Sequence, residues 1–143
     1  MSHLKVTFGA ILALTLASCG NEAPVADAGG AAQEASAITL VSVNDASKLL
    51  AEDKDAILID VRTPEEFGSG HLAGADNVDF KAADFIEKIS QLDKSKHYVV
   101  YCGSGKRSGK ATAKMEELGF AKITDVDGGI TAWNAAKLPV VEQ

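Results

Sequence analysis

The sequence predicts an α/β layer structure over residues 38–143, built on a mainly parallel sheet of about five strands. Three observations carry this. Short β-branched runs alternate with stretches of helical spacing. One of the runs, AILIDV (Ala56–Val61), is continuously apolar over most of its length, the pattern of a strand buried on both faces. Capping and turn residues stand at the joins between runs.

Taken in order, ITLV (Ile38–Val41) is a short strand, and Ser42 or Asn44 caps the helix in SVNDASKLLAED. After AILIDV, Thr63 is an N-cap, Pro64 a first helical residue, and Glu65 and Glu66 the acids of a first turn. NVDF (Asn77–Phe80) is a weaker strand. Ala82–Leu92 reads as a helix with Phe85, Ile86, Ile89 and Leu92 at helical spacing. HYVVYC (His97–Cys102) is the next strand. The helix in SGKATAKMEELGF follows, with Ala111, Met115 and Leu118 as its apolar face and Gly119 as its C-terminal cap. KITDVDGG gives a strand and turn, ITAWNAAK a last short helix with Trp133 in the core, and LPVVE an extended end.

The 143 residues are 46% hydrophobic and 24% charged, with a net charge of −6, as in a soluble globular protein. No basic excess is present to displace counterions from phosphates, so nucleic acid is not an expected partner. An anion-binding role must rest on a local cluster of cations, and Lys106, Arg107 and Lys110 form one.

Residues 1–18 read as a signal peptide: Lys5 precedes the apolar run VTFGAILALTLAS, which is short for a membrane span of about 20 residues. LASC (Leu16–Cys19) resembles a lipoprotein lipobox, with Cys19 as the lipidated residue. A disulfide between Cys19 and Cys102 is the competing reading. Residues 19–37 are small, polar and aperiodic, a flexible linker with a reach of roughly 20–25 Å. Gly20 after the cysteine resembles an outer-membrane sorting signal. The expectation is an exported, periplasmic lipoprotein held to the bacterial membrane, the outer one, by N-terminal lipid.

The chemistry concentrates in VVYCGSGKRSGKA (Val99–Ala111). Gly103, Gly105 and Gly109 permit a sharp turn with exposed N–H groups. Successive N–H groups followed by a helix N-terminus make an anion cradle at a strand's carboxyl end. A cysteine at that spot is more acidic than a free thiol. Lys106, Arg107 and Lys110 have the wrong sign for the helix dipole, which points to function. The GSGK tetrapeptide is not a P-loop: Val100 stands where the motif needs glycine, and Arg107 where it needs Ser or Thr. Cys102 has no CxxC partner, and neither His71 nor His97 is spaced to share a metal with it.

DVRTPEEFGSGHLAGADNV (Asp60–Val78), YCGSGKRS and GGITAWNAAKLPV (Gly128–Val140) together resemble the rhodanese homology domain, in order and over nearly all of 38–143. The resemblance implies a three-layer α/β/α fold and a sulfurtransferase without metal or cofactor. Cys102 would take the outer sulfur of thiosulfate or a persulfide donor and pass it to cyanide or a thiol. Gly103, Ser104, Gly105, Lys106, Arg107 and Ser108 would bind the anionic donor. Asp60, Arg62, Glu66 and His71 would brace the scaffold near the site.

Two alternatives stay open. Some rhodanese-like modules bind partners or carry sulfur without turnover. The related cell-cycle dual-specificity phosphatases space their cysteine and arginine one residue further apart. Here four residues, Gly103 to Lys106, separate Cys102 from Arg107, and Ser108 occupies the phosphatase arginine position.

Overall fold

The computed structural model describes residues 35–142. The expected signal peptide, Cys19 and most of the linker lie outside the described residues. The strands are β1 (Ile38–Val41), β2 (Ile57–Asp60), β3 (Asp76–Asn77), β4 (His97–Tyr101) and β5 (Lys122–Val126). The helices are α1 (Val43–Glu52), α2 (Pro64–Gly68), α3 (Phe85–Ser90), α4 (Lys106–Glu117) and α5 (Gly129–Ala135). The strands form one sheet in the order β1-β5-β4-β2-β3, with every neighbouring pair parallel. Parallel neighbours need crossover connections, and the helices supply them.

Local chemistry explains the joins. The Ser42 hydroxyl accepts the Asp45 N–H at 3.2 Å and starts α1. Thr63 and Glu66 form a reciprocal capping box at α2, with Pro64 in the first turn. All of β4 is buried, as the central strand of a sheet covered on both faces should be. On one face Phe85 and Ile89 of α3 and Ala111 and Met115 of α4 pack on Ile59, Tyr98, Val100 and Ile123. On the other, Val43 and Ala46 of α1 and Ile130 and Trp133 of α5 pack on Leu58, Val99, Tyr101 and Val126.

Three elements differ from the sequence reading. Helix α3 is confined to Phe85–Ser90 and starts without a side-chain cap. Its buried pair is Phe85 and Ile89, one turn apart, which leaves Ile86 46% exposed rather than in the core. Strand β3 is only Asp76–Asn77, because Asn77 turns its side chain onto the Asp60 and Arg62 carbonyls at 3.0 and 2.9 Å. Helix α4 begins at Lys106, ahead of Ser108, since Gly105 caps it with φ +87°. Lys106 and Arg107 therefore open the first turn, while Lys110 falls beyond it.

Both ends of the described chain are tied down. The Ala37 N–H and the Ser36 hydroxyl donate to Glu116 Oε1 at 2.8 and 2.6 Å. At the other end Val141 exchanges two backbone hydrogen bonds with His71, each 2.8 Å. The Trp133 indole N–H donates to the Pro139 carbonyl at 3.0 Å, beneath that segment.

Candidate active site

Cys102 leaves the carboxyl end of β4, in the middle of the sheet, where the loop to α4 begins. It is a free thiol, with the residue 1% exposed. The first residues of α5, which follows β5, fix the loop from behind. At the start of α5, Ile130 N–H donates to the Cys102 carbonyl (2.8 Å) and Thr131 N–H to the Gly103 carbonyl (3.0 Å). That approach requires Gly129, which has φ +54° and no room for a Cβ against the Cys102 carbonyl oxygen.

With its carbonyls held below, the loop turns its N–H groups toward the sulfur. Gly105 N–H donates to Cys102 Sγ at 3.2 Å. Burial pushes the thiol pKa up, but the Ser108 N–H and hydroxyl and the N–H groups of Ser104 and Arg107 together outweigh it. The net direction is down, toward a thiolate. Ser104, Lys106 and Lys110 are exposed at the rim, and Ser108 is fully buried beneath.

Arg107 has a partner. Its Nη1 donates to Glu66 Oε2 at 2.6 Å and its Nη2 to Oε1 at 2.7 Å, a two-pronged pair across the loop mouth. Glu66 thereby serves α2 as capping residue and α4 as counter-ion. The guanidinium charge is shared with a carboxylate, so the free positive field at the rim comes from Lys106 and Lys110.

The remaining bracing residues form a second network. Arg62 grips Asp60 through Nε (3.0 and 2.9 Å to its two oxygens) and Nη2 (2.6 Å), and Nη2 also donates to the Gly70 carbonyl at 2.6 Å. Its guanidinium lies 5.8 Å from the centre of the Tyr101 ring. The Tyr101 hydroxyl accepts the Leu72 N–H at 3.1 Å, and burial pushes its pKa well up. His71 stacks on Phe67 at 3.8 Å and directs Nδ1 to the Phe67 carbonyl at 3.0 Å. The ring is committed to packing α2 rather than to the sulfur.

The family model for the rhodanese-like domain matches residues 42–136. The chain belongs to the rhodanese-like domain family. Thiosulfate sulfurtransferase 16, chloroplastic, of Arabidopsis thaliana is 39% identical over 118 residues, covering 76% of this chain and 97% of the relative. A sulfurtransferase of Allochromatium vinosum is 34% identical over 66% of this chain and 87% of its own. Among solved structures, a rhodanese-related protein of Thermoplasma volcanium superposes with a TM-score of 0.64 at 32% identity, covering 72% of this chain and 97% of that one. Both of the named sequence relatives, the Arabidopsis and Allochromatium proteins, are sulfurtransferases by name.

A cavity of about 430 Å³ elsewhere in this rhodanese-like domain is not part of the site. It lies at the amino ends of β4 and β5, where His97 bridges Asp53 (2.9 Å) and Thr124 (2.8 Å). Sequence reading also passed over two acids that do border the active-site loop, Asp125 and Asp127. A Cβ on Gly109 would stand 3.5 Å from Asp125 Oδ2, and one on Gly105 4.0 Å from Asp127 Oδ1. The available signal was the pair of acids in TDVDGG, one of them inside a strand.

The rhodanese-like loop has a pH dependence that follows from Glu66. The hydrogen bonds from Arg107 lower its pKa from 4.5 to about 2, against the opposing effect of burial. A carboxylate depressed on folding stabilises the fold above its unfolded pKa, and that contribution is lost as pH falls through the folded one. Acid titration of thermal stability should therefore show a loss between about pH 4.5 and 2, reduced by solvent screening because the side chain is 39% exposed. Glu66→Gln should flatten that part of the profile. An unchanged acid limb would remove Glu66 as its source.

Proposed function

We propose that the protein is a sulfurtransferase in which Cys102 carries the transferred sulfur as a persulfide. The observation that supports this most is the thiol itself: buried, with lowered pKa, and ringed by loop N–H groups. The Cys102 thiolate attacks the sulfane sulfur of thiosulfate, the sulfur–sulfur bond breaks, and sulfite leaves with the bonding pair. A nucleophile, cyanide or a thiolate, then attacks the outer sulfur of the persulfide. Cys102 departs as thiolate and the cycle closes. Loop N–H groups stabilise the anionic sulfur at both steps without reorganising. No general base is needed, consistent with a His71 ring committed to Phe67.

Thiosulfate is the donor with which to test this, and a low-molecular-weight persulfide is the second. The loop length favours sulfur over phosphate, since four residues rather than a longer span separate Cys102 and Arg107. The lipobox-like LASC adds a location to the reading. Cys19 would hold the domain at the periplasmic face of a membrane, where its acceptor thiol must be met.

Steady-state thiocyanate formation from thiosulfate and cyanide tests the reading. Because Lys106 and Lys110 supply the exposed positive charge, KM for thiosulfate should rise with ionic strength. Replacing both lysines by glutamine should raise KM by roughly three- to tenfold at low salt, with a smaller change in kcat. A KM indifferent to both salt and the lysines would take donor attraction away from them.

A further inference from the structure

The active-site loop and the start of α4 carry three cations, and their surroundings differ. Lys106 and Lys110 are exposed and make no ion pair among the described residues. Arg107 is withdrawn from that set. Glu66 engages both of its terminal nitrogens, Nη1 through Oε2 at 2.6 Å and Nη2 through Oε1 at 2.7 Å. The carboxylate thus occupies guanidinium N–H groups that a bound oxyanion would use.

This ion pair stands beside the reacting sulfur. A Cβ on Gly103, the residue after Cys102, would lie 3.3 Å from Arg107 Nη2 and 3.9 Å from Glu66 Oε1. Glu66 is fixed there from its own helix as well. Its Oε2 accepts the Thr63 N–H at 3.2 Å, and its own N–H donates to the Thr63 hydroxyl at 3.3 Å. The hydrogen bonds from Arg107 hold the carboxyl down to about 2, so it is ionised throughout the neutral range.

Helix capping does not account for an acid at this place, because glutamine completes a capping box equally well. A carboxylate at the mouth of a site for anionic donors opposes the charge of the donor. With Glu66 present, the pair adds almost no net charge to the mouth, and Lys106 and Lys110 are left to attract the substrate.

We propose that Glu66 is a positioning residue that sets the charge specificity of the site. By holding the Arg107 guanidinium it weakens the mouth for donors with two negative charges and leaves it suited to sulfane donors with one. Thiosulfonates and alkyl persulfides form that class, and thiosulfate is disfavoured by its second charge. The proposal rests on the sulfurtransferase reading and narrows its donor. From a thiosulfonate the Cys102 thiolate takes the outer sulfur, the sulfur–sulfur bond breaks, and a sulfinate leaves with the bonding pair. From an alkyl persulfide the leaving group is a thiolate, which takes up the proton that the outer sulfur loses.

Thiosulfate and methanethiosulfonate make the test, since in the second a methyl group replaces one oxygen and removes one charge. Thiocyanate formation by the full chain is measured with each at low salt and neutral pH, and kcat/KM for thiosulfate is divided by that for methanethiosulfonate. The leaving groups differ, so the change of this ratio on substitution is the readout. Glu66→Gln keeps the cap and frees Arg107. It should raise the ratio by roughly three- to tenfold, through KM for thiosulfate, and the gain should shrink at high salt. Glu66→Gln combined with Arg107→Gln replaces one neutral pair by another. The ratio should return to within about twofold of wild type, whatever the effect on kcat.

A ratio that stays put or falls in Glu66→Gln overturns the proposal. So does a double variant with a ratio well below wild type, which would make Arg107 a ligand of thiosulfate in spite of Glu66. Should Glu66→Gln not fold, the double variant, which strands no charge, decides alone. Failure of the sulfurtransferase reading looks different: the wild type forms thiocyanate from neither donor. Charge specificity is then read from protection of Cys102 against iodoacetamide by sulfate and by methanesulfonate, the unreactive counterparts, at the Cys102 peptide. A higher sulfate-to-methanesulfonate ratio in Glu66→Gln supports the proposal, and an equal one overturns it.

Discussion

Cys102→Ser should abolish thiocyanate formation, a fall of more than about a thousandfold, while the domain stays folded. Serine keeps the volume and accepts the same N–H groups that face Cys102 Sγ from Gly105 and the rest of the loop. It lacks a pKa that this environment can bring into range, and it has no sulfur to hold the transferred atom. Loss of activity with an unchanged thermal midpoint isolates the chemistry from the scaffold. Residual turnover within tenfold of wild type would mean that sulfur passes through the protein without the Cys102 persulfide.

Arg62→Ala should produce the largest loss of stability among the site residues, about 3–5 kcal/mol. Asp60 is fully buried, and the three short contacts from Arg62 are what neutralise it. Removing the guanidinium leaves a carboxylate at the carboxyl end of β2 and frees the Gly70 carbonyl as well. For a domain of this size the thermal midpoint should drop on the order of 15 °C, measured by circular dichroism. Asp60→Ala combined with Arg62→Ala should cost less than the sum of the two single changes, because the second substitution removes the stranded charge. Additive losses would show that the pair does not act as a unit.

What the sequence disclosed and what it withheld divide along a physical line. Thr63, Pro64 and Glu66 carry their capping box within four consecutive positions, so α2 is legible from local chemistry alone. The run ending in Tyr101 and the glycines around Cys102 likewise announce a strand, a turn and an exposed amide cradle. Ile86 was misplaced because helical spacing identifies a face without saying how many turns the helix will have. The pairing of Arg107 with Glu66 spans 41 positions, and only the packing of α2 against the loop reveals it. Asp125 was the least legible. KITDV has no strict alternation to mark which face its acid takes, and only the covering of β5 on both faces puts Asp125 under α4.

The central claim is that Cys102 holds the sulfur. Intact-mass spectrometry of the protein before and after thiosulfate, with peptide mapping and Cys102→Ser alongside, addresses it most directly. The account predicts a gain of one sulfur on the Cys102 peptide of the wild type, lost again on adding cyanide and absent in the variant. A folded protein with reduced Cys102 that gains no sulfur from thiosulfate or from a low-molecular-weight persulfide would contradict it.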